Sequence, residues 1–266
     1  MYKGDPTRWT DLWDLQMQQS HRKEDGGEFV ERSRLFATGN KHSNYSDELL
    51  SRINTSDRPS VLDIGCGDGA IAVRLARTAS QVTALDSDPG LLIPLTQRVM
   101  AEGLTNVVFT HADWFDAEIG TTIDRHDIVL ASRFRWMTPL ETFIRKMDAA
   151  ARERCYLTWI VERHDVDSLI AELLGEESNP LPRHSILCNA IESIGISAAT
   201  EIFESIERNR FESEEDALRD ALRGHQIPDE TLRKTIIDLV SSRLIYKDGY
   251  WYLNENTKWA LIWWVK

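Results

Sequence analysis

The sequence predicts an α/β fold built on a doubly wound, mostly parallel sheet. Three observations carry this. Short apolar runs alternate with helix-length stretches between residues 59 and 161, the pattern of βαβ units. The runs are near-continuous in apolar character, as in Ile128-Val129-Leu130-Ala131, which suits strands covered by helices on both faces. The first run ends in Gly65-Cys66-Gly67-Asp68-Gly69, a glycine loop between a strand and a helix.

The elements follow in order. Residues 1–43 are polar and punctuated; a short helix is expected over 9–20, then a loop, then a helix leading into 44–54. Pro59 to Ile64 reads as the first core strand and Ala70 to Thr78 as its helix. Gln81 to Leu85 is the second strand. Asp88 then precedes Pro89, an N-cap before a proline at the first helical position. Asn106 to Thr110 and Asp127 to Ala131 are the third and fourth strands. Thr138-Pro139-Leu140-Glu141 reads as a capping box that opens a helix to about Arg152. Cys155 to Val161 is the fifth strand.

Beyond residue 162 the regularity loosens. A helix over 164–174 precedes a proline-bearing linker, 175–183. A helix over 184–194 leads to a strand near 196–208. Helices follow at 213–224, capped by Ser213 with Asp216, and at 228–243. Lys247-Asp248-Gly249 reads as a hairpin turn, and 258–265 as the last strand. The expected division is a helical lid over 1–55, a cofactor-binding core over 56–162, and a second half over 163–266 on the substrate side.

The composition limits the function. The 266 residues carry 31 Lys and Arg against 43 Asp and Glu, a net charge of -12. That disfavours a constitutive nucleic acid coat, since phosphate binding rests on clustered positive charge. Cys66, Cys155 and Cys188 have no metal or disulfide spacing, so no metal is expected. No apolar run reaches the ~20 residues of a membrane span, and the opening residues lack a signal-peptide pattern. The expected compartment is the cytoplasm.

The glycine loop carries the chemistry. Glycines permit positive φ and let a ligand approach the backbone. The loop lies outside the carboxyl end of a parallel strand, where open α/β sheets bind ligands. Asp86 lies 21 residues beyond Gly65, at the end of the next strand, where a carboxylate can accept both hydroxyls of a ribose. Those facts define a nucleoside-type cofactor. Gly65-x-Gly67-x-x-Ala70 also satisfies the dinucleotide fingerprint. Asp63, at the strand end, disfavours that reading, because an acid there repels a pyrophosphate and suits a cofactor bearing an ammonium or sulfonium. Asp113-Trp114 follows the third strand and offers an acceptor for an exocyclic amine beside an aromatic plane.

Val61-Leu62-Asp63-Ile64-Gly65-Cys66-Gly67-Asp68-Gly69, with Asp86, Asp113 and Asp127-Ile128-Val129-Leu130-Ala131-Ser132, resembles the class I S-adenosylmethionine-dependent methyltransferases. The resemblance covers 61–132 closely and extends to about residue 160. It implies a Rossmann-like, seven-stranded sheet with an antiparallel last strand, a helical N-terminal lid and a helical insertion before that strand. It implies S-adenosyl-L-methionine as cofactor, with contacts at Asp63, Gly65, Cys66, Gly67, Asp86, Ser87, Asp113, Trp114 and Ser132. In it Asp63 faces the ammonium, Asp86 the ribose and Asp113 the adenine amine.

Several readings stay open. Trp114 is either a base platform or core packing. Cys66 is read as packing rather than as a nucleophile. Arg133, Arg135 and Trp136 stand at the mouth of the expected pocket; Arg133 and Trp136 are the substrate candidates, with a surface pair as the alternative. His164 is either a general base or a bystander. No residue is assigned to catalysis, because methyl transfer needs mainly alignment. Helix 228–243 with its hairpin resembles a winged-helix fragment but lacks the charge of a DNA reader. The expected acceptor is a small, anionic molecule; membranes are excluded as partners, nucleic acid is disfavoured, and a homodimer through the Trp-rich tail stays open. The alternatives are RNA or protein methylation, for which a basic stripe would be the sign, an NAD-dependent oxidoreductase, and a non-catalytic partner protein.

Overall fold

The computed structural model describes residues 8–20, 41–175, 181–223 and 225–266. The chain opens with helix α1 (Trp9–Ser20), strand β1 (Lys41–Ser43) and helix α2 (Tyr45–Leu50). The alternating core follows: β2 (Ser60–Ile64), α3 (Ala72–Ala76), β3 (Gln81–Asp86), α4 (Pro89–Ala101), β4 (Val107–His111), β5 (His126–Ala131), α5 (Leu140–Ala150) and β6 (Ala151–His164). Then come α6 (Val166–Leu173), α7 (His184–Ser193), β7 (Ala199–Phe211), α8 (Glu214–Ala221), α9 (Glu230–Ser241), β8 (Leu244–Lys247) and β9 (Tyr250–Val265). Parts of the expected lid and of the 175–183 linker lie outside the described residues.

The strands form one sheet in the order β1-β7-β9-β6-β5-β2-β3-β4, with β8 paired to β9. The stretch β4-β3-β2-β5-β6 is parallel throughout, the doubly wound order whose reversal lies between β2 and β5. β9 runs antiparallel between β6 and β7. The expected seven-stranded sheet is therefore present, extended by two strands: β1 on the edge of β7, and β8 on β9.

The last strand differs from its expected span. The hairpin arm and strand 258–265 are one strand, Tyr250–Val265. Asp248 and Gly249 take positive φ (52° and 84°) in a two-residue turn, so Lys247 pairs with Tyr250 and the hairpin runs on into the sheet. The fifth strand is likewise longer than its apolar run, reaching His164. β6, β7 and β9 thus project together beyond the carboxyl edge of the parallel strands as a tongue.

The sheet is packed on both faces. On one, Trp13 of α1 lies 4.6 Å from Trp159 between ring centroids, among Leu140, Phe143 and Met147 of α5 and Leu187 and Ile191 of α7. On the other, Tyr45 and Leu49 of α2 join Val73 and Leu75 of α3 and Leu95 of α4. A smaller cluster, with Ile170, Ile236, Val240 and Leu253, lies under the tongue. Two of the four tail tryptophans are buried with their Nε1–H satisfied: Trp259 donates to Ser205 Oγ (2.9 Å) and Trp264 to Asp148 Oδ1 (2.9 Å).

Two caps follow the sequence and one does not. Asp88 caps α4 by accepting the Gly90 N–H at 2.8 Å, and Ser213 caps α8 by accepting that of Asp216 at 3.1 Å. The expected Thr138–Glu141 capping box does not form. The N-cap of α5 is Pro139, and Glu141 is drawn into ion pairs with Arg8 (2.5 Å) and Arg145 (2.9 Å). The Leu140 N–H donates instead to Asp14 Oδ1 of α1 at 3.0 Å. A residue 126 positions away replaces the local cap.

Candidate cofactor and acceptor site

The glycine loop is fixed by the end of the neighbouring strand. β2 pairs with β3 as far as Ile64 opposite Leu85. The Leu85 carbonyl then accepts the N–H groups of both Gly65 (2.8 Å) and Cys66 (3.0 Å). Asp86 Oδ2 accepts the Gly67 N–H at 2.8 Å, and Oδ1 accepts that of Asp88 at 2.9 Å. Gly65, Gly67 and Gly69 all take positive φ, 68°, 56° and 81°. A Cβ on Gly69 would meet Leu95 of α4, whereas one on Gly67 would meet nothing within 4 Å. Gly69 therefore serves helix packing, while Gly67 leaves open space at the carboxyl edge.

Asp63, Gly65, Cys66, Gly67 and Asp86 are thus brought together at the reversal point. Asp63 is 1% exposed, and its Oδ2 has no hydrogen-bond partner. Burial, reinforced by the charge of Asp86, raises its pKa to about 8. A buried acid in that state is the acceptor half of an interaction with a cation. Cys66 is 8% exposed, and burial together with the charges of Asp63 and Asp86 raises its thiol pKa, so no thiolate forms there.

Ser132, at the end of β5, enters a network that the sequence did not reveal. Tyr45 Oη lies 2.8 Å from Ser132 Oγ and 2.7 Å from Thr158 Oγ1. The Arg133 N–H donates to the same Thr158 Oγ1 at 2.8 Å. The Arg133 guanidinium sits 4.4 Å above the Tyr45 ring and 3.6 Å from Glu207 Oε1 of β7. Arg133 has φ 54°, which turns the chain back over the loop. Tyr45 is fully buried, and burial raises the pKa of its hydroxyl. Its only sequence signal is an aromatic residue just inside a short helix.

Phe134 follows. Its Cδ2 lies 2.5 Å from where a Cβ on Gly65 would stand, and its ring stacks on Phe143 of α5 at 5.1 Å and 25°. The ring forms an apolar wall over the loop.

The remaining predicted residues lie further out. Ser87 is exposed, and its carbonyl is 3.1 Å from His111 Nε2. Asp113 is exposed at the end of β4, with Oδ1 accepting the Phe115 N–H at 2.7 Å. Trp114 is 2% exposed and packs edge-on to Phe143 at 6.1 Å. Trp136 is 43% exposed at the mouth. His164 stands on the tongue, 3.2 Å from Glu162. Among the described residues no group of three metal-ligating side chains occurs, and no helix is long and apolar enough to cross a membrane.

The comparisons agree with this geometry. A family described as methyltransferase domain matches residues 61–154. An uncharacterized protein of Haemophilus influenzae is 33% identical over 229 residues, 84% of this chain and 82% of that protein. A release factor glutamine methyltransferase of Xylella fastidiosa is 33% identical over 88 residues, 32% of this chain and 31% of that enzyme. The crystal structure of a candidate methyltransferase of Bacillus halodurans shares the fold, with a TM-score of 0.51 at 15% identity, over 82% of this chain and 96% of that one. The chain belongs to the class I S-adenosylmethionine-dependent methyltransferases.

S-adenosylmethionine is the cofactor of that class, and the residues present fit it. The partnerless Asp63 oxygen matches an ammonium, and the open space at Gly67 admits a ligand against the backbone. When bound, the cofactor supplies an activated methyl on a sulfonium.

Proposed function

We propose that this chain transfers the methyl of S-adenosylmethionine to an anionic acceptor presented beside Arg133. The observation that carries the reading is the buried, partnerless Asp63 carboxyl at the end of β2. In this reading Asp63 holds the ammonium of the cofactor, the backbone at Gly65 to Gly67 lines its methionine portion, and Asp86 with Ser87 faces the ribose. Asp113 receives the adenine amine. Phe134 and Ser132 border the reacting methyl and keep water from it, while Tyr45 fixes Ser132 and the Arg133 backbone. No side chain is assigned a proton transfer, since in-line displacement needs chiefly proximity and alignment.

Arg133 by itself suits a small anionic acceptor, because its guanidinium stands at the mouth with 39% of its side chain exposed. A second reading, an RNA acceptor, is favoured by one observation: the tongue beside the mouth bears a basic, aromatic face. Incubating the protein with methyl-labelled S-adenosylmethionine and fractionated cell extract tests both. Label in the low-molecular-weight fraction supports the small acceptor, and label in RNA supports the second. Label in neither, with the cofactor bound, contradicts both.

A further inference from the structure

β5 ends at Ala131, opposite Leu157 of β6, yet β6 continues to His164. β7 continues alongside to Phe211, and β9 returns from Tyr250. At about 3.3 Å per residue, β6 rises roughly 25 Å and β7 and β9 roughly 35–40 Å beyond the carboxyl edge that holds the glycine loop.

Strand alternation gives the tongue two unlike faces. Phe203, Ser205, Asn209 and Leu253 are buried beneath helices. The opposite face is open: Ile206 is 43% and Ile245 48% exposed. On it Arg208 pairs in register with Asn254, and Arg210 with Tyr252. Lys247 pairs with Tyr250. The Arg210 guanidinium lies 4.5 Å from the Tyr250 ring and that of Arg208 5.9 Å from the Tyr252 ring. Arg208 Nε also donates to Asn254 Oδ1 at 3.1 Å. At the foot of the face an open cleft of about 580 Å³ is lined by His164, Ile206, Arg243, Asn254 and Asn256, with no carboxylate.

Of the tongue's carboxylates, Glu204 alternates onto the open face opposite Lys258, and the others near the basic residues are turned away or paired. Glu207 points to the other face, toward Arg133, and Glu255 accepts from Asn209 there at 3.2 Å. Glu162 is held by Lys258 at 2.9 Å. Among the described residues Arg208, Arg243 and Lys247 form no ion pair with a carboxylate. A chain of net charge -12 thus concentrates cations on one open sheet face.

We propose that this face binds single-stranded nucleic acid. Cationic groups about 7 Å apart along a strand can track a phosphate backbone, and guanidinium planes held on rings offer stacking surfaces to unpaired bases. The two asparagines offer donors and acceptors to base edges. An acidic peptide would use the charges but not the stacked planes. As part of the methyltransferase reading, on which this role rests, the held strand would pass round the tongue to the mouth beside Arg133 on its opposite face.

Fluorescence anisotropy of the full chain with a labelled single-stranded RNA of roughly 12 nucleotides tests the proposal. Micromolar binding at about 50 mM salt is expected, weakening steeply toward 200 mM. R208A/R210A should weaken it more than about tenfold and flatten the salt slope by about 1.4. Y250L should weaken it severalfold with the slope unchanged, since stacking releases no counterions. Absence of binding, equal affinity for the R208A/R210A protein, or equal affinity for polyglutamate overturns the proposal. S-adenosylhomocysteine titration of the unsubstituted protein reports separately: cofactor binding without RNA binding overturns only the tongue's role, and RNA binding without cofactor binding overturns only the methyltransferase site.

Discussion

The Phe134 ring lies on the α-carbon of Gly65, with Cδ2 2.5 Å from the position a Cβ would take. Glycine at 65 therefore meets two demands, a φ of 68° and the close approach of this ring. Gly67 meets only the first, since nothing lies within 4 Å of its missing side chain. G65A should displace Phe134 from Phe143 and lower both stability and cofactor affinity. G67A should cost roughly 1 kcal/mol of backbone strain and keep the fold. Thermal melts and S-adenosylhomocysteine titrations of the two variants check the contrast, and equal melting losses would count against it.

Asp63 gives a pH dependence with a definite sign. Its folded pKa, about 8, lies above the ordinary 3.8, so the folded state holds a proton that the unfolded state releases. Its contribution to stability is full below pH ~4 and is lost as the pH rises through about 8. D63N should flatten that decline and raise the melting temperature of the ligand-free protein at pH 8–9. The same substitution should weaken cofactor binding about 10- to 100-fold, the loss of a charge-assisted bond.

Binding should also release a proton. Ligand-free Asp63 is protonated at pH 7, and an ammonium beside it favours the carboxylate. Calorimetry of S-adenosylhomocysteine binding in buffers of different ionisation enthalpy should show release approaching one proton, absent in D63N. Equal apparent enthalpies across buffers would contradict this.

Burial likewise raises the Asp14 pKa, to about 6, although Asp14 accepts the Leu140 N–H at 3.0 Å. Stability linked to it should fall as the pH rises from about 4 to 6. D14N keeps an acceptor for the cap and should remove that slope. D14A removes the cap and should cost about 0.5–2 kcal/mol at every pH, read from denaturant melts.

Tyr45 joins the N-terminal helix α2 to the ends of β5 and β6. Y45F leaves Ser132 Oγ and the fully buried Thr158 Oγ1 without that hydroxyl. The expected cost is about 1–3 kcal/mol of stability, together with slower methyl transfer at unchanged cofactor affinity. A loss of cofactor affinity equal to the loss of rate would place Tyr45 in the cofactor site instead.

Much of this was legible because it is local. Alternating apolar runs and the glycine loop fix β2, β3 and their join, and Asp88-Pro89 and Ser213 fix helix starts. The parts that were not legible depend on partners distant in sequence. Nothing near Leu140 signals that Asp14 will cap it, and the local Thr138–Glu141 pattern points the other way. The length of β6 and β9 comes from mutual pairing through polar residues such as Glu162, Arg163 and Asn256, which carry no strand-like apolar pattern. The basic face arises only when alternate residues of β7, β8 and β9 align, so the negative net charge concealed it.

The central claim is that the pocket at Asp63, Gly67 and Asp86 holds S-adenosylmethionine. Calorimetric titration with S-adenosylhomocysteine tests it most directly, with NAD as control and with D63N alongside. One-to-one micromolar binding of the first ligand is expected, with none of the second and a clear loss in D63N. Binding of neither ligand by the folded protein, or full affinity in D63N, would contradict it.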